Sequence, residues 1–273
     1  MEILLILIFV VGYLLITVEH SIKIDKLIPA LGMMGVLWAV IALNHLPVFE
    51  INLELLSLEP AHLDEVLLHH LGKTAEILIF LLGAMTIVEI IDFFRGFSGI
   101  KKLIKSRSKV TLLWIFGFLS FGLSAIIDNL TATIVLITIL QKLVTNKELK
   151  LWYAGLIIIA ANAGGAFSPI GDITTTMLWI ADKVTTLNLI KFLVLPSIVC
   201  MVVPFLISSK FKIFKGEFKI PSNLIDTELN PYGNKMLFIG LGSILFVPFF
   251  KTVTHLPPYV GMMLALAFVA TVA

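Results

Sequence analysis

The chain has 273 residues, of which 59% are hydrophobic and only 14% charged, and its mean hydropathy is +1.04. A soluble domain has roughly a quarter of its residues charged, and the apolar excess here runs in stretches too long for a soluble core. A net charge of +2 excludes a strongly basic nucleic-acid binder, and the single Cys200, inside an apolar run, excludes an internal disulfide.

The apolar runs are continuous and not alternating, so the sequence predicts an all-α membrane protein, a bundle of transmembrane helices, over a β-barrel. The first run covers 3–18. It has no basic segment before it and no small-residue cleavage site after it, so it is read as a retained span. The second run covers 27–46. A polar stretch, 47–73, follows with Glu50, Glu54, Glu59, Asp64, Glu65, His62, His69 and His70. The three histidines suggest a metal cluster, but a solvated amphipathic segment accounts for them more simply. The third run, 74–93, carries Glu76, Glu89 and Asp92. A basic loop comes next, with Arg95, Lys101, Lys102, Lys105, Arg107 and Lys109. The run 110–140 is interrupted at Asp128-Asn129, and 151–181 is broken at Gly164-Gly165 and Pro169–Asp172. The run 188–207 precedes a polar segment with Lys210, Lys212, Lys215, Glu217, Lys219, Asp226, Glu228 and Lys235. Runs at 236–250 and 257–273 end the chain.

Lysine and arginine gather in loops 19–26, 94–110, 141–150 and 208–235, which the positive-inside rule assigns to the cytoplasm. Loop 47–73 is acidic and faces out. Sides then alternate only if 110–140 enters and leaves on the cytoplasmic side and 151–181 crosses once. Two full spans need about 40 residues, and 110–140 has 31. It is read as a re-entrant helical hairpin, 110–141, turning at Asp128-Asn129. The segment 151–182 is read as a broken helix, two half-helices about an unwound middle. Irregular backbone at membrane depth must lie inside protein or beside water.

Both breaks gather oxygen donors. Ser124–Thr133 (SAIIDNLTAT) and Asn162–Thr176 (NAGGAFSPIGDITTT) each set one aspartate among hydroxyls and amides, with Gly and Pro permitting unwound backbone. Carboxylate, hydroxyl, amide and carbonyl oxygens suit a hard cation, and broken helices in transporters hold ions in this way. Ser124, Thr133, Thr175 and Thr176 could equally bond their own backbone. Asp128 and Asp172 are costly at this depth, and such residues are generally functional. Burial favours a neutral carboxyl and a bound cation favours a charged one. Na⁺ and H⁺ therefore compete for one carboxylate, and with alternating access that competition exchanges them. Glu89 is either a proton relay or an interhelical or interfacial group.

These two runs resemble the signatures of the NhaD-type Na⁺/H⁺ antiporters, the second extending over Ala160–Trp179 (AANAGGAFSPIGDITTTMLW). Phe80–Asp92 (FLLGAMTIVEIID) and Leu256–Gly261 (LPPYVG) are similar too. The resemblance covers essentially the whole chain. It implies a secondary active transporter of the ion-transporter superfamily and not an enzyme, exchanging Na⁺, often Li⁺ as well, for H⁺, with no cofactor. It implies two inverted repeats, each with a re-entrant hairpin and a broken helix: 1–207 as the first repeat, 208–235 as a cytoplasmic linker and 236–273 as the start of the second. The chain stops inside an apolar run, so the expectation is a fragment with a truncated second repeat. Asp128, Asn129 and Thr131 map to the hairpin tip, and Asn162, Ser168, Asp172 and Thr174 to the broken helix. The implied partners are Na⁺, H⁺, membrane lipid and a second copy in a homodimer. The implied setting is a bacterial inner membrane, since no transit peptide is visible, with the plastid envelope as the alternative.

A dicarboxylate, citrate or arsenite carrier of the same superfamily is the alternative substrate class. Asp128 at the tip disfavours anions. An intramembrane aspartyl protease would also need two membrane aspartates, but its Gly-x-Gly-Asp pattern is absent at Pro169-Ile170-Gly171-Asp172. A non-transporting accessory subunit is the third reading.

Overall fold

A backbone that cannot bond to water closes its hydrogen bonds locally, and the apolar runs do so as helices. The computed structural model describes residues 1–52, 57–103, 108–217 and 232–273. Glu54, Lys105, Arg107, Lys219, Asp226 and Glu228, assigned above to loops, lie outside the described residues, as do the side chains of Lys101 and Lys102. The chain divides into two units, Met1–Gly72 and Lys73–Ala273.

The first unit holds α1 (Glu2–Thr17), the single-turn α2 (Glu19–Ile22) and α3 (Leu27–Leu43). It also holds an antiparallel hairpin of β1 (Val48–Asn52) and β2 (Ser57–Ala61), with Val48 opposite Ala61. The Asp25 carboxylate accepts from Leu27 N at 2.8 Å, an Asx-type turn that leads into α3. Helices α1 and α3 pack where Gly12 meets Met33, whose side chain fills the space a Cβ would need. Most of the other apolar side chains on these helices are exposed and the rest only half-buried, and α3 buries none. Such a surface is stable only against lipid or protein. The polar stretch 47–73 is more ordered than its composition suggests. It forms the strand pair and then the first turns of α4 (Leu63–Phe93), with His69 and His70 exposed on that helix.

The second unit holds the rest of α4, then α5 (Lys109–Ser124), α6 (Asn129–Leu143), α7 (Lys147–Ala166), α8 (Ile173–Ile180), α9 (Thr186–Ser209), α10 (Gly233–Thr254) and α11 (Pro258–Val272). Gly96–Leu103 and Lys212–Phe214 form 3₁₀ turns. Helix α4, with α7, α9 and α10, is long and apolar enough to cross a membrane. The chain is an integral membrane protein.

All the helices of this unit except α8 fall into two groups. In one, α4, α10 and α11 close on glycines: a Cβ on Gly83 would lie 2.7 Å from Met262, on Gly240 2.5 Å from Ile91, and on Gly261 2.8 Å from Phe250. In the other, α5, α6, α7 and α9 enclose Phe116, Leu136, Tyr153 and Phe205, all fully buried. The Tyr153 hydroxyl donates to Lys109 O at 2.6 Å, fixing the start of α5 beside the second turn of α7. The end of α5 meets the end of α7 where Gly164 faces Phe121. Helices α5 and α7 therefore run parallel, and α6 returns antiparallel to both, making α5–α6 a hairpin that turns at 125–128. At 16 and 15 residues its arms are about 24 and 22 Å long, shorter than a bilayer core of about 30 Å.

Candidate functional site

The helix breaks are built by their capping residues. Asp128 is the N-cap of α6. Its Oδ1 accepts from Thr131 N at 2.8 Å and its Oδ2 from Thr131 Oγ1 at 2.5 Å. Asp172 is the N-cap of α8. Its Oδ2 accepts from Thr174 N at 3.2 Å and from the Thr174 hydroxyl. Each aspartate thus meets the orphaned amides and the positive end of a helix dipole. Between α7 and α8 the chain is unwound over 167–172. The Thr175 hydroxyl lies 3.0 Å from both Ser168 O and Asp172 O, so it can serve either carbonyl of the irregular segment.

The break falls two residues later than the glycines suggest. Helix α7 runs through Gly164-Gly165 to Ala166, and these glycines serve close approach. A Cβ on Gly164 would fall on the Phe121 carbonyl, one on Gly165 would lie 2.5 Å from Gly171 O, and one on Gly171 would fall on Ser124 O. The ends of α5 and α7 and the unwound segment therefore meet backbone to backbone. Phe121 stacks on Phe167 beside this crossing, with ring centroids 5.3 Å apart.

That crossing brings one polar network together. Asn129, the first residue of α6, donates from Nδ2 to Asn162 Oδ1 at 2.8 Å and to Asp172 Oδ1 at 3.1 Å. Asn162 donates in turn to Ile158 O at 2.9 Å. Of the residues singled out from sequence, Asn129, Asn162, Asp172 and Thr174 are joined. Asp128 and Thr131 sit next in the chain, but their bonds stay within the cap of α6. Ser168 is buried and its Oγ accepts from Ile170 N at 3.3 Å. Glu89 is exposed on α4, with no hydrogen bond or ion pair among the described residues. His62, His69 and His70 build no metal cluster among the described residues.

Two hydroxyls carry a signal that sequence alone could not. Ser120 and Ser124, one turn apart on α5, are fully buried, and neither Oγ has a partner among the described residues. Such orphans are rare and call for a cause. The position a Cβ would take on Gly165 is 3.2 Å from Ser124 Oγ, so Ser124 borders the same crossing.

Paired helix breaks, each opening on an aspartate in an apolar bundle, are a feature that broken-helix membrane transporters share. The chain belongs to the citrate transporter family, whose profile matches residues 3–272. It is 43% identical over 95% of its length to sodium/proton antiporter 1 of Arabidopsis thaliana, covering 43% of that protein. It is 41% identical over 95% of its length to sodium/proton antiporter 2 of the same plant, covering 60%. It is 35% identical over 96% of its length to the Na(+)/H(+) antiporter NhaD of Vibrio cholerae, covering 53%. The chain spans about half the length of the curated relatives it matches. No solved structure matches it.

Proposed function

We propose that this chain supplies one half of the ion pathway of a secondary active transporter that exchanges Na⁺, and Li⁺ as a second substrate, for H⁺ by alternating access. The observation that carries the reading is the Asn129–Asn162–Asp172 network at the meeting of two helix breaks. The antiporter names of its relatives support it. In the present arrangement the Asn129 amide nitrogen sits between Asn162 Oδ1 and Asp172 Oδ1. A half-turn of that amide puts its oxygen there instead, since the two ends are nearly the same size. Three oxygens then face one point, a donor set that suits a hard cation. Asp128, Thr131, Ser168 and Thr174 complete the candidate shell, and the orphaned Ser124 hydroxyl fits the same role.

Asp172 and Asp128 take either a cation or a proton, and Glu89 on α4 relays protons. The hairpin of α5 and α6 dips into the bilayer from the cytoplasmic side without crossing it, as its short arms favour. On this reading residues 1–207 form the first of two inverted repeats, 208–235 the cytoplasmic linker, and 236–273 the opening of the second. The protein acts as a homodimer in an energised membrane, the bacterial inner membrane or the plastid envelope. An anion substrate, suggested by the description of the family, conflicts with two carboxylates at the breaks, whose charge repels another carboxylate.

The test uses everted vesicles from cells lacking their own antiporters, carrying the full-length gene product. A fluorescent pH-gradient probe is followed after Na⁺, Li⁺, K⁺ or citrate is added. The reading expects Na⁺ to collapse the gradient in the parent but not in Asp128→Ala or Asp172→Ala. Citrate uptake with no response to Na⁺ would sink it.

A further inference from the structure

Helix α8 is only eight residues long, too short to hold itself in place. Its first end carries Asp172 and Thr174 and joins α7 through the unwound segment 167–172. Its position therefore depends on what grips its other end. There Trp179 is buried, edge-on to Phe80 of α4 at a centroid distance of 6.3 Å. Lys251, in the last turn of α10, supplies the polar grip. Its Nζ donates to Trp179 O at 2.8 Å and to Asp182 Oδ1 at 2.7 Å, and lies 4.8 Å from the centre of the Trp179 ring.

Each contact answers a need of the helix end. The Trp179 carbonyl is one of the last-turn acceptors that lack an intrahelical partner, and here it accepts from both Asp182 N at 3.2 Å and Lys251. A cation there complements the negative end of the dipole. Asp182, at φ 55°, sits just past the helix end, and the indole face attracts the ammonium. The Lys251 side chain is only 18% exposed while Asp182 is 77% exposed, so the lysine is held by α8 and not merely paired at the surface. It lines a pocket of about 290 Å³ with Lys73, Glu76 and His255. Lys251 thus ties the α4–α10–α11 group to the helix that carries Asp172.

We propose that Lys251 is a positioning residue for the cation site: it fixes the far end of α8 and through that rod sets the placement of Asp172 and Thr174. Resting on the antiporter reading above, it assigns a role in ion affinity to a residue about the length of α8, some 12 Å, from the ligands. Ligand sets tolerate displacements of only about half an ångström, and loss of a supporting contact lowers metal affinity about tenfold or more.

The full-length protein in everted vesicles is titrated with Na⁺ as the parent and as Lys251→Met, Lys251→Arg and Lys191→Met. The last removes an exposed lysine of α9 whose ammonium lies over the Phe192 ring of the same helix. Hydrogen exchange of the α8 amides is measured on the purified proteins. Lys251→Met is expected to raise the half-saturating Na⁺ about tenfold with its maximal response kept, and to speed exchange across 173–180. Lys251→Arg, whose guanidinium can reach the same carbonyl, carboxylate and ring, should restore most of both. Lys191→Met should match the parent. A parental half-saturation in Lys251→Met, or equal losses in the Met and Arg variants, overturns the assignment. If Na⁺ elicits no response in the parent, the antiporter reading is what fails. Exchange in α8 then decides the role of Lys251 alone, and unchanged protection overturns it.

Discussion

Two alanines on one helix should have opposite effects. Gly164 and Gly155 both lie in α7, so replacing either with alanine gains about 1 kcal/mol of helix propensity. At Gly155 a Cβ meets nothing within 4 Å, and that gain stands. At Gly164 the Cβ would lie 2.7 Å from the Cα and carbonyl carbon of Phe121, against 3.4 Å for ordinary contact. Helices α5 and α7 would have to part by at least 3.4 − 2.7 = 0.7 Å, and the obstacle is backbone, which no rotamer change can clear. Overpacking of this kind costs about 1–3 kcal/mol. The propensity gain cancels between the two variants, so Gly164→Ala should be less stable than Gly155→Ala by about 1–3 kcal/mol. At about 2–4 °C per kcal/mol for a chain of this size, thermal unfolding in detergent, followed by size-exclusion chromatography, resolves the difference. Equal melting temperatures would refute the backbone-to-backbone crossing on which the site is built.

Other substitutions separate packing from ion binding. Ser124→Ala removes a buried hydroxyl with no partner among the described residues, so stability should hold or rise while the half-saturating Na⁺ rises. A stability loss with unchanged Na⁺ response would contradict the role given to that oxygen. Tyr153→Phe loses the bond to Lys109 O and should destabilise by about 1–2 kcal/mol, measured by the same melting assay, with Na⁺ affinity kept. Thr175→Val leaves the Ser168 and Asp172 carbonyls without their hydroxyl partner. It should cost about 1–3 kcal/mol and raise the half-saturating Na⁺ as well, and a change in neither would show that the unwound segment does not depend on this hydroxyl.

Much of this fold was legible because the bilayer imposes lengths. The run 110–140 is too short for two spans, and Asp128-Asn129 marks its turn, where α6 begins at Asn129. The glycines misled. Gly164 and Gly165 read as an unwound hinge because glycine permits one, whereas they lie within α7 and leave room for the close approach of Phe121 and Gly171. The strand pair near 48–61 was missed because acidic residues there mask a short alternation. In the candidate site, Asp172 could be picked by residue type and Asn129, Asn162 and Thr174 through the family resemblance, but nothing in their spacing tells that Asn129 spans two helices or that Asp128 turns to its own cap. The orphaned state of Ser124 follows from packing, and the grip of Lys251 on Trp179 joins residues 72 positions apart.

The central claim is that Na⁺ and H⁺ compete for the carboxylate of Asp172, and Na⁺ binding to the purified full-length protein across a pH series tests it most directly. Where the carboxyl is protonated before Na⁺ arrives, titration calorimetry is expected to find one proton released per Na⁺ bound. Under acidic conditions the apparent affinity should weaken about tenfold for each unit of pH lowered, with binding lost in Asp172→Asn. Na⁺ affinity that does not change with pH, or that survives in Asp172→Asn, would contradict the account.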